Sequence, residues 1–129
     1  MEQPNLHELR SEVGNRFAKL GAVMKTGDTR APRVSVGKRA TLRIGDLALE
    51  GIVENASLTG AYFKTHVIVE VGEGGALLGG NSAAPIRVVW CSLDLEQQVA
   101  GLGLVFETAS GEREILEFLT SLLATEVSA

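Results

Sequence analysis

The chain has little of what most enzymes and most secreted domains are built from. It has one cysteine, Cys91, among 129 residues. No intrachain disulfide can form, so a reducing compartment is the natural setting. Its two histidines, His7 and His66, are poorly placed for a Cys-His or Ser-His pair. No Gly-x-Ser-x-Gly surrounds Ser57, so it does not sit in a nucleophile elbow. No spacing of Cys, His, Asp and Glu suggests a metal site. No apolar run approaches membrane-spanning length, and no charged segment leads into an apolar one as a secretory signal would. These shortages point away from an enzyme, a cofactor or a membrane-inserted protein, and towards the cytoplasm.

Basic residues are scarce in one half only. Residues 1–65 carry a net charge of +3 and residues 66–129 a net charge of −7, which together give −4. No global positive field draws in a nucleic acid polymer. An anionic ligand is expected near the N-terminal half, and the C-terminal half reads as a solvated acidic surface.

What is present organises into a helical segment over residues 1–26 and a strand-rich domain over 27–129. Leu6, Leu9, Val13, Phe17, Leu20 and Met24 recur at steps of three and four, the stripe of an amphipathic helix. Gly14 and Gly21 weaken that helix, each by roughly 1 kcal/mol relative to alanine. The stripe either packs on its own domain or, because Leu6, Val13 and Leu20 keep a seven-residue step, forms a seam between two copies.

From Val34 the period changes to two. Val34 and Val36, then Ala40, Leu42 and Ile44, suggest strand, with an irregularity at Gly37-Lys38. Gly45-Asp46 signals a turn, Leu47 to Val53 a second strand, and Gly51 a bulge. Ala61 to Phe63, Val67 to Val71, Ile86 to Trp90 and Gly101 to Phe106 read as further strands. The run Gly72-Glu-Gly-Gly and the pair Gly79-Gly80 read as hairpin turns. No Gly-Lys-Ser/Thr follows them, so they do not form a phosphate loop. Short strands without intervening helices suggest an antiparallel barrel or sandwich. A final helix starts near Ser110, with Ile115, Phe118, Leu119, Leu122 and Leu123 as its apolar stripe.

Between the second and third strands stands Asn55-Ala-Ser-Leu-Thr-Gly60. As a turn it explains itself, since Asn and Ser side chains accept from backbone amides two residues on and Gly60 can take a positive φ at the turn's exit. The same groups also suit a nucleotide: an amide meets a base edge, a hydroxyl meets phosphate, and glycine allows close approach.

This stretch resembles the second signature of the PilZ domains, Asp/Asn-x-Ser-x-x-Gly, which follows an Arg-x-x-x-Arg loop ahead of the first strand. Gly51-Ile-Val-Glu before the motif, Ala61 after it, and the pair Val88-Val-Trp90 and Gly101–Phe106 fit the same pattern over residues 30–125. The resemblance implies a six-stranded antiparallel PilZ-type β-barrel with an N-terminal amphipathic helix and a C-terminal helix. It further implies a bacterial signalling receptor that binds cyclic di-GMP unchanged and passes the signal to a protein partner. The residues implied in binding are Arg30, Arg33, Asn55, Ser57 and Gly60.

The first motif departs from the family. With Arg33 in the second place, Thr29 holds the first, and Arg30 stands one step closer. In a polyproline-like segment three residues make one turn, so Arg30 and Arg33 project from the same side. Otherwise Arg30 points away and one fork to guanine is lost, worth roughly 1–3 kcal/mol. The alternative function is a degenerate interaction module that does not bind the messenger. Its working surface would be the N-terminal helix, or the acidic face of Glu107, Glu112, Glu114 and Glu117.

Overall fold

The structure is a computed structural model that describes residues 5–19 and 34–123. Arg30 and Arg33 lie outside the described residues, as do Leu20 and Met24.

Alternation along the strands sets the barrel. Strand β1 (Val34–Ile44) turns Ala40, Leu42 and Ile44 inward, and β2 (Leu47–Ala56) does the same with Leu49, Val53 and Ala56. Inward from β3 (Gly60–Thr65) come Ala61, Phe63 and Thr65. Leu77 of β4 (Gly74–Gly79), Ala84, Ile86 and Val88 of β5 (Ser82–Asp94), and Leu102 and Leu104 of β6 (Val99–Phe106) complete the lining. A period of two buries one face of each strand and leaves the other wet. The strands close in the order β1-β2-β3-β6-β5-β4, every neighbour antiparallel. The expected six-stranded antiparallel barrel with a helix at each end of the chain is therefore observed.

Closure has one narrow seam, where Thr41–Arg43 of β1 meet Ala76–Leu78 of β4. It explains one difference from the sequence reading. Gly74 and Gly75 belong to a strand rather than a hairpin turn, because a Cβ on Gly75 would stand 2.1 Å from the Arg43 carbonyl oxygen. The expected bulge at Gly51 is likewise absent. Gly51 pairs in register with Ala40, and its missing side chain makes room for the Phe63 ring and the Lys64 carbonyl. The irregularity of β2 falls instead between Val53 and Asn55, while the one expected at Gly37-Lys38 is where β1 slips register.

Register also defines two ends. At one end, Val34 pairs with Ala56 and Gly60 with Val105. At the far end, Ile44 pairs with Leu47, Thr65 with Ala100, and Asp94 with Val99. The connection from β3 to β4 has to cross the far end, because those strands are not neighbours. It does so as a loop over residues 66–73, not as the strand expected from Val67 to Val71. Val69 is buried in the core, while Val67, Ile68 and Val71 stay exposed.

Helix α2 (Thr108–Leu123) lies along β5 and reaches β4, with Ile115, Leu116, Phe118, Leu119, Leu122 and Leu123 buried. Phe118 meets Phe106 edge to face at 6.3 Å. Gly111 interrupts the helical backbone with an extended conformation, so the continuous run begins at Glu112 rather than directly after Ser110. Lys38, at the β1 irregularity, donates to the Leu122 carbonyl near the helix's end.

Helix α1 (Leu6–Lys19) begins with a capping box, in which Asn5 Oδ1 accepts from Glu8 N at 2.8 Å and Glu8 Oε1 accepts from Asn5 N at 3.3 Å. It packs on α2, where Leu9, Val13 and Phe17 are buried in the chain's own core. The stripe considered for a seam between copies is thus covered within one chain, over the described residues. Arg10 holds Glu112 through two hydrogen bonds, of 2.5 and 2.9 Å.

Candidate ligand-binding groove

The turn after β2 is held together by Ser57. Its backbone N–H donates to the Gly60 carbonyl at 2.8 Å. Its Oγ accepts from Thr59 N at 3.1 Å and Gly60 N at 3.3 Å, and lies 3.1 Å from the Thr59 hydroxyl. Ser57 is only 1% exposed, so its hydroxyl faces the turn rather than solvent. Each such bond contributes about 1 kcal/mol net, and losing the acceptor leaves buried donors unmatched.

Gly60 does not take the positive φ expected of it but opens β3, and it lacks a side chain for a reason of packing. A Cβ there would lie 2.2 Å from the Leu104 carbonyl oxygen of β6. The turn therefore presses on β6, and Phe106 N donates to the Thr59 carbonyl at 2.9 Å to fasten it. Asn55, partly exposed, pairs in register with Tyr62 on one side and Ser35 on the other. Three of the five site residues expected from the sequence, Asn55, Ser57 and Gly60, thus form one lip.

Beside this lip the outer barrel face opens into a groove of about 410 Å³, within the roughly 300–1,000 Å³ typical of ligand sites. Asn55, Thr59 and Gly60 form one edge, and Val89 and Val105 also line it. Its floor is Gly103, flanked in register by Tyr62 of β3 and Trp90 of β5. A Cβ on Gly103 would fall 2.1 Å from Trp90 Nε1, and one on Gly101 would fall 2.2 Å from the Tyr62 hydroxyl. The Gly-x-Gly of β6 is what lets both rings lie against the sheet. They stack on each other with centroids 5.4 Å apart and planes 26° apart. Trp90 remains 46% exposed, which leaves an aromatic surface open to a planar ligand.

The sequence reading missed Tyr62 and Trp90 as site residues. The signal that could have found them is two glycines alternating in a strand, one of them opposite both Tyr62 and Trp90 and the other beneath the Tyr62 hydroxyl. Among the described residues that line the groove there is no cation and no carboxylate. A second groove of about 390 Å³ on the faces of β1, β2 and β3 is lined instead by charges of both signs: Arg39, Lys64, Glu50 and Glu54, with His66 beside them. Among the described residues no group of His, Cys, Asp and Glu is placed to hold a metal ion. No helix among them is long and apolar enough to cross a membrane.

No family model matches the chain, and no curated protein does. Among solved structures it is similar in fold to the PlzA protein of Borreliella burgdorferi, solved in complex with c-di-GMP, with a TM-score of 0.47 and 12% identity. The match covers 87% of this chain and 55% of that one, so the chain spans about half the length of that protein. Similarity that loose transfers no residue and no ligand from one chain to the other.

Proposed function

We propose that the protein is a PilZ-like receptor that binds cyclic di-GMP at the lip and groove and passes the signal to a protein partner. The observation that carries the reading is the joining of Asn55, Gly60 and the Tyr62–Trp90 pair around one open groove, with Ser57 shaping the lip from beneath. In this reading the Asn55 amide meets a base edge and Trp90 offers a face for a purine. Gly60 lets the backbone approach the ligand. Ser57 is a positioning residue.

The described residues that line the groove supply no positive charge, so in this reading the phosphates take their cations from beyond those residues. Arg33 is bonded to Val34, the first residue of β1, whose register partner Ala56 sits at the lip. Arginine meets guanine O6 and N7 in a fork and phosphate as a charged donor. Arg30 and Arg33 are accordingly assigned to the ligand. Nothing in the proposed chemistry turns the ligand over, so the protein acts as a receptor rather than an enzyme. A receptor for an intracellular messenger works in the cytoplasm.

Calorimetric titration with cyclic di-GMP tests the reading. Binding in the low-micromolar range is expected, weakened at least tenfold by Arg33→Ala and by Asn55→Ala. A folded protein that gives no heat at several hundred micromolar ligand excludes it. That outcome leaves the second reading, an interaction module without the messenger, which the Arg-x-x-Arg spacing favours.

A further inference from the structure

The far end of the barrel is unlike any other part of the surface. Three loops meet there: the β1–β2 turn at residues 45–46, the crossing at 66–73, and the β5–β6 turn at 95–98. His66 Nδ1 and the Gln98 carbonyl, 3.0 Å apart, tie the second to the third. Ten large apolar side chains are exposed among the described residues, and six of them, Leu47, Val67, Ile68, Val71, Leu93 and Leu95, lie at this end. Ile68 is 61% exposed and Leu95 77%. Their neighbour Val69 is buried, so the loop has an inward residue that holds it and outward residues that do nothing for the core.

Charge at this end is equally one-sided. The three loops carry four carboxylates, Asp46, Glu70, Glu73 and Glu96, and no lysine or arginine. Arg43 and Lys64 lie just inside the adjoining strands, and Arg87 of β5, paired with Glu107, also donates to the Gly72 carbonyl of the crossing at 2.8 Å. None of the four carboxylates is in an ion pair with a described residue. The acidic face expected from the sequence differs in part, because two of its four carboxylates are paired there, Glu107 with Arg87 and Glu112 with Arg10. Among the described residues, carboxylates outside any ion pair and exposed apolar side chains therefore coincide at one end of the barrel.

We propose that this end is a docking surface for a basic amphipathic helix of a protein partner. Such a helix offers apolar residues to Leu47, Ile68, Val71 and Leu95, and lysine or arginine to the unpaired carboxylates. Other occupants fit worse. Nucleic acid and anionic lipid are repelled by the carboxylates. A second copy docking through the same face sets like charges against each other, since a two-fold contact places each patch on itself. The surface lies at the opposite end of the barrel from the lip, and the proposal stands whether or not a nucleotide binds there.

The test uses the full chain labelled with nitrogen-15 and a synthetic helical peptide of leucine and lysine at three- and four-residue spacing. Its twin carries glutamate in place of lysine. Titration with the lysine peptide is expected to shift amides in 45–47, 66–73 and 93–98, with an affinity in the micromolar range. The glutamate peptide is expected to shift none of them. Ile68→Asp with Leu95→Asp weakens binding at least tenfold, and Asn55→Ala leaves it unchanged. Ile68→Ser with Leu95→Ser, which adds no charge, is a second pair with the same expected direction. Shifts centred elsewhere, equal binding of both peptides, or full affinity in both double variants would overturn the proposal. So would concentration-dependent self-association that the double variants remove, since the occupant would then be a second copy.

Discussion

The two ends of the barrel are made from the same elements and finished in opposite ways. At the lip, a three-residue connection is tied by backbone and hydroxyl hydrogen bonds, and its serine is buried. At the far end, an eight-residue crossing sends one valine inward and leaves three other apolar residues in water. Over the described residues, the lip is a hydrogen-bonded turn beside an uncharged aromatic groove, whereas the far end is apolar and acidic, its loop carboxylates outside any ion pair. Rigid polar geometry suits recognition of a small ligand, and exposed apolar surface with unmatched charge suits a macromolecule. On the proposed reading, one barrel separates the place where a signal is read from the place where it is delivered.

The comparison predicts unequal costs of substitution. The largest is expected for Gly60→Ala, whose Cβ would press on the Leu104 carbonyl at 2.2 Å. Two strands must part to admit it, so a loss of about 3 kcal/mol in urea unfolding is expected. Ser57→Ala comes next. It leaves the Thr59 and Gly60 amides without their acceptor and costs about 2 kcal/mol. On the proposed reading cyclic di-GMP binding should weaken with it, because the hydroxyl shapes the lip.

At the far end the cost should split within one loop. Val69→Ala removes a core residue and is expected to cost about 1–2 kcal/mol. Ile68→Asp, one position away and largely exposed, should change stability by less than about 0.5 kcal/mol. Equal losses at the two positions would mean that the loop's outward residues are structural after all.

The smallest effect concerns the helices beside the barrel. Arg10 holds the Glu112 carboxyl below its ordinary range, chiefly through their hydrogen bond. A group whose folded pKa is lowered adds stability above its unfolded pKa and loses it as pH falls through the folded value. The attachment of α1 to α2 should therefore loosen below about pH 4. Amide exchange in α1, followed from pH 7 to pH 3, should show this step in the native protein and not in Glu112→Gln.

Much of the barrel was legible because its strands alternate, and an alternating strand declares its own buried face. Leu42, Val53, Phe63, Val88 and Leu102 all point where a period of two sends them. The stretch from Val67 to Val71 broke the rule, since a loop crossing a barrel mouth also buries one residue among several apolar ones. The glycines at 51, 74 and 75 misled for a different reason. What forbids a side chain at Gly51 and Gly75 is backbone from a strand distant in sequence: Lys64 at one and Arg43 at the other.

The lip itself was readable as a turn, because asparagine, serine and glycine there act on neighbours a few residues away. The aromatic platform was not, since it depends on β3 and β5 flanking β6 at Gly103. The same holds for the far end, whose loops are separated by dozens of residues and meet only through topology. Arg30 and Arg33 lie outside the described residues, so their part in the site rests on the sequence motif alone.

The most direct test of this division is an amide map of the nitrogen-15-labelled chain during titration with cyclic di-GMP. Shifts are predicted at residues 30–35, 55–62, 89–90 and 103–105, with 67–71 and 95–98 changing far less. Shifts centred on the far-end loops, or none at saturating ligand, would contradict the account.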